Sequence, residues 1–152
     1  MNLLFVCRRN LSRSVVAAAI ARSKLGDRTV VEIEAAGLFV TYEGKPAPVG
    51  IVALLNSIGI DASVHRRKAL TIELIDWATL VLVADSYIRD TLHRLLPAYA
   101  DRIKIMSKFD PLNKKKFASV PDIGAVKDPE RYKREVIAPI TRPIDKILGD
   151  AS

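Results

Sequence analysis

Asn2-Leu3-Leu4-Phe5-Val6-Cys7-Arg8-Arg9-Asn10-Leu11-Ser12-Arg13-Ser14 runs from a nearly continuous apolar segment into a short polar one, and Val15, Ala18, Ala19 and Arg22 then recur at helical spacing. An almost continuous apolar run of six residues, Asn2 to Cys7, reads as a strand covered on both faces, which is how parallel sheets bury their strands. The helix it feeds is alanine-rich and stops at Gly26. Strand, loop and helix in immediate succession are the first half of a βαβ unit, and the rest of the chain repeats that alternation. Residues 29–35 are β-branched and partly alternating, giving a second strand. Pro46 and Pro48 precede a helix over 49–57 with Gly59 beyond its end. Residues 71–77 predict another helix, residues 80–84 the clearest buried strand, 87–96 an amphipathic helix closed by Pro97, and 102–106 a fourth strand. Residues 107–127 read as loop, and Asp128-Pro129 opens a last helix that Pro139 and Pro143 should kink or split. The expected fold is α/β: a three-layer sandwich of a four-stranded parallel sheet flanked by helices, in one domain over 1–152.

In open parallel sheets ligands sit beyond the carboxyl ends of the strands, so the segment 7–14 is the place to look for chemistry. A loop of five residues between Cys7 and Arg13 can curl around a tetrahedral anion. The backbone N–H groups of Arg8, Arg9, Asn10, Leu11 and Ser12 then turn inward, and the following helix points its positive end at the same spot. Phosphate is the natural guest. Arg13 can meet two of its oxygens with a planar fork, which lysine cannot do. The same positive field favours Cys7 as thiolate, the form able to attack phosphorus, and Ser14 is placed to donate a hydrogen bond to it. Asn10 tolerates left-handed backbone and its amide can brace the loop. The competing reading makes Cys7 a small buried hydrophobe and Arg13 a solvated helix residue; the placement between strand and helix argues against it.

The 152 residues carry a net charge of +7, which favours anionic partners. No ribonucleoprotein strand, helix-turn-helix punctuation or zinc-finger spacing accompanies that charge, so nucleic acid is not the expected partner. One cysteine and two histidines, His65 and His93, exclude a cysteine-rich zinc site and an intrachain disulfide. No metal or cofactor is expected. The longest apolar runs fall short of the roughly 20 residues that cross a bilayer, and Arg8 and Arg9 follow the first of them in the reverse of signal-peptide order. A cytoplasmic monomer or weak dimer without membrane attachment is expected. The runs Arg66-Arg67-Lys68 and Lys114-Lys115-Lys116 read first as solvated faces; the second stands where it can steer anionic substrates.

Val6-Cys7-Arg8-Arg9-Asn10-Leu11-Ser12-Arg13-Ser14 resembles the signature V-C-x-G-N-x-C-R-S of the low-molecular-weight protein tyrosine phosphatases. Ala35-Ala36-Gly37 is similar to the family's S-A-G, Gly44-Lys45-Pro46-Ala47 to G-x-P-A, and Gly59-Ile60-Asp61 through His65 to Thr71 to its G-I-D…H-x-A-R-x-L-T block. Trp77 to Asp85 resembles W-A-D-L-I-L-V-M-D, and Phe109-Asp110-Pro111 its late F-D-P. The resemblance implies a cysteine-dependent phosphomonoesterase acting on aryl phosphates, such as phosphotyrosine in proteins or a phosphorylated small molecule. Cys7 forms a phosphocysteine, Arg13 and the loop amides hold the phosphoryl oxygens, an aspartic acid protonates the leaving group, and inorganic phosphate is released. Asp122, in Val120-Pro121-Asp122, is the expected general acid, with Asp128 as the alternate. Three positions depart from the pattern. Arg9 replaces a glycine. Ser12 replaces the cysteine that in relatives can trap the nucleophile as a disulfide. The wall aromatic falls near Thr41, with Tyr42 beside it as the candidate rim residue. The rival readings are an arsenate reductase using an external thiol and a phosphate- or phosphoprotein-binding module of low activity.

Overall fold

The computed structural model describes residues 1–113, 119–120 and 126–150. Strands β1 (Asn2–Cys7), β2 (Glu32–Gly37), β3 (Leu80–Val83) and β4 (Ile103–Ile105) form one parallel sheet in the order β2-β1-β3-β4. β1 is central, which accounts for its unbroken apolar sequence: Leu3 to Val6 are each at most 1% exposed. Helices α1 (Arg13–Leu25), α2 (Val49–Ser57), α5 (Pro129–Tyr132) and α6 (Ala138–Asp150) cover one face, where Phe5, Ile20, Leu55, Met106, Tyr132 and Ile140 interlock. Helices α3 (Ile72–Trp77) and α4 (Ser86–Leu95) cover the other over Leu4, Val6, Val81, Ile88 and Ile105. The three-layer α/β architecture expected from the alternation of runs is the one found.

α1 lies against the sheet and α6, and its residues from Arg13 to Ala21 are all buried. Four alanines at 17, 18, 19 and 21 let it approach both neighbours, and a helix apolar on nearly every side is a helix enclosed on nearly every side. Its N-terminus is thereby held directly beneath the end of β1.

Local chemistry sets the helix ends. Thr71 accepts from the Leu74 N–H to start α3, Asp85 from Ile88 to start α4, and Asp128 from Arg131 to start α5. Gly59, at φ +80°, closes the turn after α2. The expected break at Pro139 takes the form of a π turn over Lys133–Ile137. A wider turn there suits a proline that lacks an N–H and crowds the carbonyl before it. Pro143 stays inside α6. Arg142 of α6 bonds both oxygens of buried Asp110 at 2.8 Å and so ties the turn after β4 to the helix layer. That guanidinium holds the Asp110 carboxyl below the usual range despite its burial. β2 begins three residues later than the β-branched run predicts. Pairing with β1 sets its limits, Asn2 opposite Glu32 and Cys7 opposite Gly37.

Candidate active site

β1, β2 and β3 end together, with Val6 flanked by Ala36 and Val83, so the loop 7–13 sits over the carboxyl edge of the sheet. Four of its carbonyls are tied to neighbouring segments. Cys7 O accepts from the Leu38 N–H, Arg8 O from Phe39, Ser12 O from Val16, and Asn10 O from His65 Nε2 at 3.2 Å. No described residue accepts from the N–H groups of Arg9, Leu11 or Ser12. A loop whose carbonyls face out and whose amides face in, followed by a helix N-terminus, is built to hold an oxyanion.

Asn10 makes the turn. It is fully buried in the left-handed region at φ +57°, while Arg9, at the family's glycine position, is not in that region. Its side-chain oxygen accepts from the Lys68 N–H at 2.9 Å, which fixes the amide orientation and points Nδ2 at Ser14 Oγ, 2.8 Å away. Ser14 Oγ accepts that bond and lies 2.9 Å from Cys7 Sγ, so that when the sulfur is a thiolate the hydroxyl donates to it. The Asn10 N–H also points at the sulfur, at 3.2 Å. Cys7 is 3% exposed and faces hydrogen-bond donors at the loop floor. His65 serves the same frame. Because its partner is a carbonyl, Nε2 must carry the proton. Burial pushes its basicity down, nearby Arg22, Arg66 and Arg67 push the same way, and the Asn10 carbonyl opposes them without reversing the shift.

Arg13 is 2% exposed and turned inward. Its Nη1 donates to Asp85 Oδ2 at 2.9 Å and to Val120 O at 3.1 Å. Asp85, which also caps α4, takes Arg8 Nε on the same oxygen at 3.1 Å. Burial alone raises the Asp85 carboxyl, but the Ile88 N–H and the two guanidiniums outweigh it and hold it below the usual range. Of the other residues singled out by sequence, Arg8 and Arg9 are exposed, and Leu11 and Ser12 are half-buried. Tyr42 is 76% exposed in a left-handed conformation at φ +52°. The segment carrying it is held by Gly44 and Lys45, which bond Arg67. Asp128 is exposed and bonds the Arg131 N–H, while Asp122 and the 114–116 run lie outside the described residues. Among the described residues no three His, Cys, Asp or Glu side chains cluster as a metal site, and no helix is long and apolar enough to cross a membrane.

Sequence reasoning gave no role to Asp85, Tyr87 or Gly37, and read His65 as structural and Lys68 as part of a solvated face. For Gly37 the requirement is contact, not a left-handed backbone: a Cβ there would meet Asn10 N at 2.7 Å, the Arg9 carbonyl carbon at 2.8 Å and Val40 Cγ2 at 2.9 Å. Gly37→Ala therefore displaces the loop, and a shift near 1 Å at a reacting centre costs on the order of 100-fold in rate. Steady-state kinetics beside a thermal melt test this, and kcat at the wild-type level in a folded variant refutes it.

The low molecular weight phosphotyrosine protein phosphatase family model matches residues 2–150. The chain is similar to a protein-arginine-phosphatase of Geobacillus stearothermophilus, 37% identical over 107 residues that cover 70% of each chain. It is also similar to a probable low molecular weight protein-tyrosine-phosphatase of Ralstonia nicotianae, 32% identical over 71% of this chain and 74% of the relative. Among solved structures, the low molecular weight protein tyrosine phosphatase of T. tengcongensis is 33% identical with a TM-score of 0.85 and covers 99% of both chains. The YwlE arginine phosphatase of Geobacillus stearothermophilus gives 32% and 0.80, over 98% of this chain and 94% of its own. With the fold, the cysteine at the end of β1 and the matched length in agreement, the chain belongs to the low molecular weight phosphotyrosine protein phosphatase family.

Proposed function

We propose that this cysteine-based phosphatase hydrolyses aryl phosphate monoesters, with phosphotyrosine in cytoplasmic proteins as its substrate class. One observation carries the reading: the bond chain from Lys68 N–H through Asn10 and Ser14 ends on Cys7 Sγ, with the Arg13 guanidinium turned inward at the close of the same loop. Sγ attacks phosphorus in line, the bond to the aryl oxygen breaks, and Asp122 gives that oxygen its proton. Water, losing a proton to the same aspartate, then attacks the phosphocysteine; the S–P bond breaks and orthophosphate and thiolate are regenerated. Arg13 and the loop amides stabilise charge on the equatorial oxygens. Val120, two residues before Asp122, bonds both Arg13 and the Ala84 carbonyl, which supports Asp122 over Asp128 as the acid.

The similarity to a protein-arginine-phosphatase favours a second reading, phosphoarginine hydrolysis on the same cradle. Two features speak for the aryl substrate: the loop carries the apolar, half-buried Leu11, and exposed Arg8 and Arg9 repel the cationic guanidino leaving group. The test is a panel of p-nitrophenyl phosphate, phenyl phosphate, a phosphotyrosyl peptide and a phosphoarginyl peptide. Wild type turns over the aryl esters in preference to phosphoarginine. Asp122→Asn slows phenyl phosphate by about 100-fold or more and Asp128→Asn leaves it nearly unchanged. A reversed preference assigns the arginine substrate, and p-nitrophenyl phosphate left unhydrolysed defeats the aryl ester reading.

A further inference from the structure

We propose that Arg8 is a preset clamp for a carboxylate flanking the phosphorylated residue, so that the protein selects acidic phosphopeptides; this rests on the aryl phosphatase reading above. Arg8 is anchored from two sides. Its Nε donates to Asp85 Oδ2 at 3.1 Å, and its guanidinium lies 4.8 Å from the centre of the Tyr87 ring. Tyr87 is itself 48% exposed, and 45% of the Arg8 side chain remains open to solvent. An exposed arginine ordinarily loses rotamer freedom when it is fixed on a ligand. Here Asp85 and Tyr87 have already fixed it, and preorganisation of this kind converts directly into affinity.

The Nη atoms of Arg8 bond no described residue, so the outer edge of the fork faces away from its anchors. Asp85 is bonded by Arg8 and Arg13 on the same oxygen. Arg9 beside Arg8 is exposed and bonds no described residue. Among the described residues, Glu43 accepts from the Ala69 N–H and Glu34 of β2 pairs with Lys68. Arg13, buried at the close of the cradle, serves the phosphoryl group. Arg8, one residue past the nucleophile, is exposed at the rim of the same loop. A planar fork there matches a carboxylate in two parallel bonds.

The test is calorimetric titration of the full chain with three peptides carrying non-hydrolysable phosphonomethyl-phenylalanine in place of the phosphorylated residue, flanked by aspartate, serine or lysine. The aspartate peptide is expected to bind about tenfold tighter than the serine peptide, the size of one charge-assisted hydrogen bond at a half-exposed site, and the gap should narrow as salt rises. Arg8→Gln is expected to reduce that ratio to about twofold or less, while Arg8→Lys, which keeps the charge without the fork, falls between. Equal binding of aspartate and serine peptides by wild type overturns the clamp and leaves the phosphatase reading standing. A ratio unchanged in Arg8→Gln also overturns it. Should Arg8→Gln bind nothing, the ratio in Arg8→Lys decides in the same way. If wild type binds none of the three phosphonates, the aryl substrate reading falls and the clamp falls with it.

Discussion

Cys7→Ser reduces hydrolysis of p-nitrophenyl phosphate to background and leaves the fold and the anion cradle in place. The expected loss is on the order of 10⁴- to 10⁶-fold, as when a covalent nucleophile is removed and only binding and charge stabilisation remain. The argument is geometric. Sγ lies 2.9 Å from Ser14 Oγ and 3.2 Å from the Asn10 N–H, and both donors are aimed by bonds that do not involve the sulfur. A serine oxygen fills nearly the same space, so the Asn10–Ser14–Lys68 frame survives, and stability should change by no more than about 1 kcal/mol. The oxygen stays protonated at neutral pH and leaves phosphorus poorly, whereas a thiol ionises readily and leaves well. Kinetics, a thermal melt and a phosphate titration of the same preparation separate the effects. Activity within tenfold of wild type would mean that another group attacks phosphorus. Lost phosphate binding would mean that the sulfur, not the amide cradle, holds the anion.

The features legible in the sequence were the local ones. The apolar run 3–6, the alanine-rich helix, and the need for a residue at ease with positive φ inside the loop are properties of neighbouring residues, and strand, helix and Asn10 stand where those properties put them. What sequence did not disclose depends on contacts across long separations. Asp85 is the cap of α4. Its bonds to Arg8 and Arg13 span 77 and 72 residues, and no periodicity reports them. His65 reaches Asn10 across 55 residues. Gly37 carries no positive φ to mark it; its lack of a side chain matters because the Asn10 and Arg9 backbone passes within about van der Waals distance. β2 shifts for a related reason. Alanine and glycine are poor strand formers, yet Ala35, Ala36 and Gly37 extend because β1 supplies their partners and leaves no room for larger side chains.

Arg13→Lys is expected to lower kcat by on the order of 10³-fold while KM changes far less, because an arginine that stabilises a transferring phosphoryl group contributes roughly 10³- to 10⁵-fold. The charge survives in that variant, so a loss of this size isolates the fork. Arg13 is 2% exposed, and its Nη1 spends its donors on Asp85 Oδ2 and the Val120 carbonyl. Those bonds set the plane of the guanidinium. A lysine ammonium can reach Asp85 or an anion, but it has no second nitrogen to hold one while serving the other. The anchor also sets the pH range of the comparison. Asp85 has its carboxyl held below the usual range, so the bond it makes is present above the unfolded carboxylate range and fails only as pH falls through the lowered value. The gap between wild type and Arg13→Lys should therefore stay constant across neutral and mildly acidic pH. A lysine variant with kcat within tenfold of wild type, or a loss appearing in KM alone, would reduce Arg13 to a simple point charge.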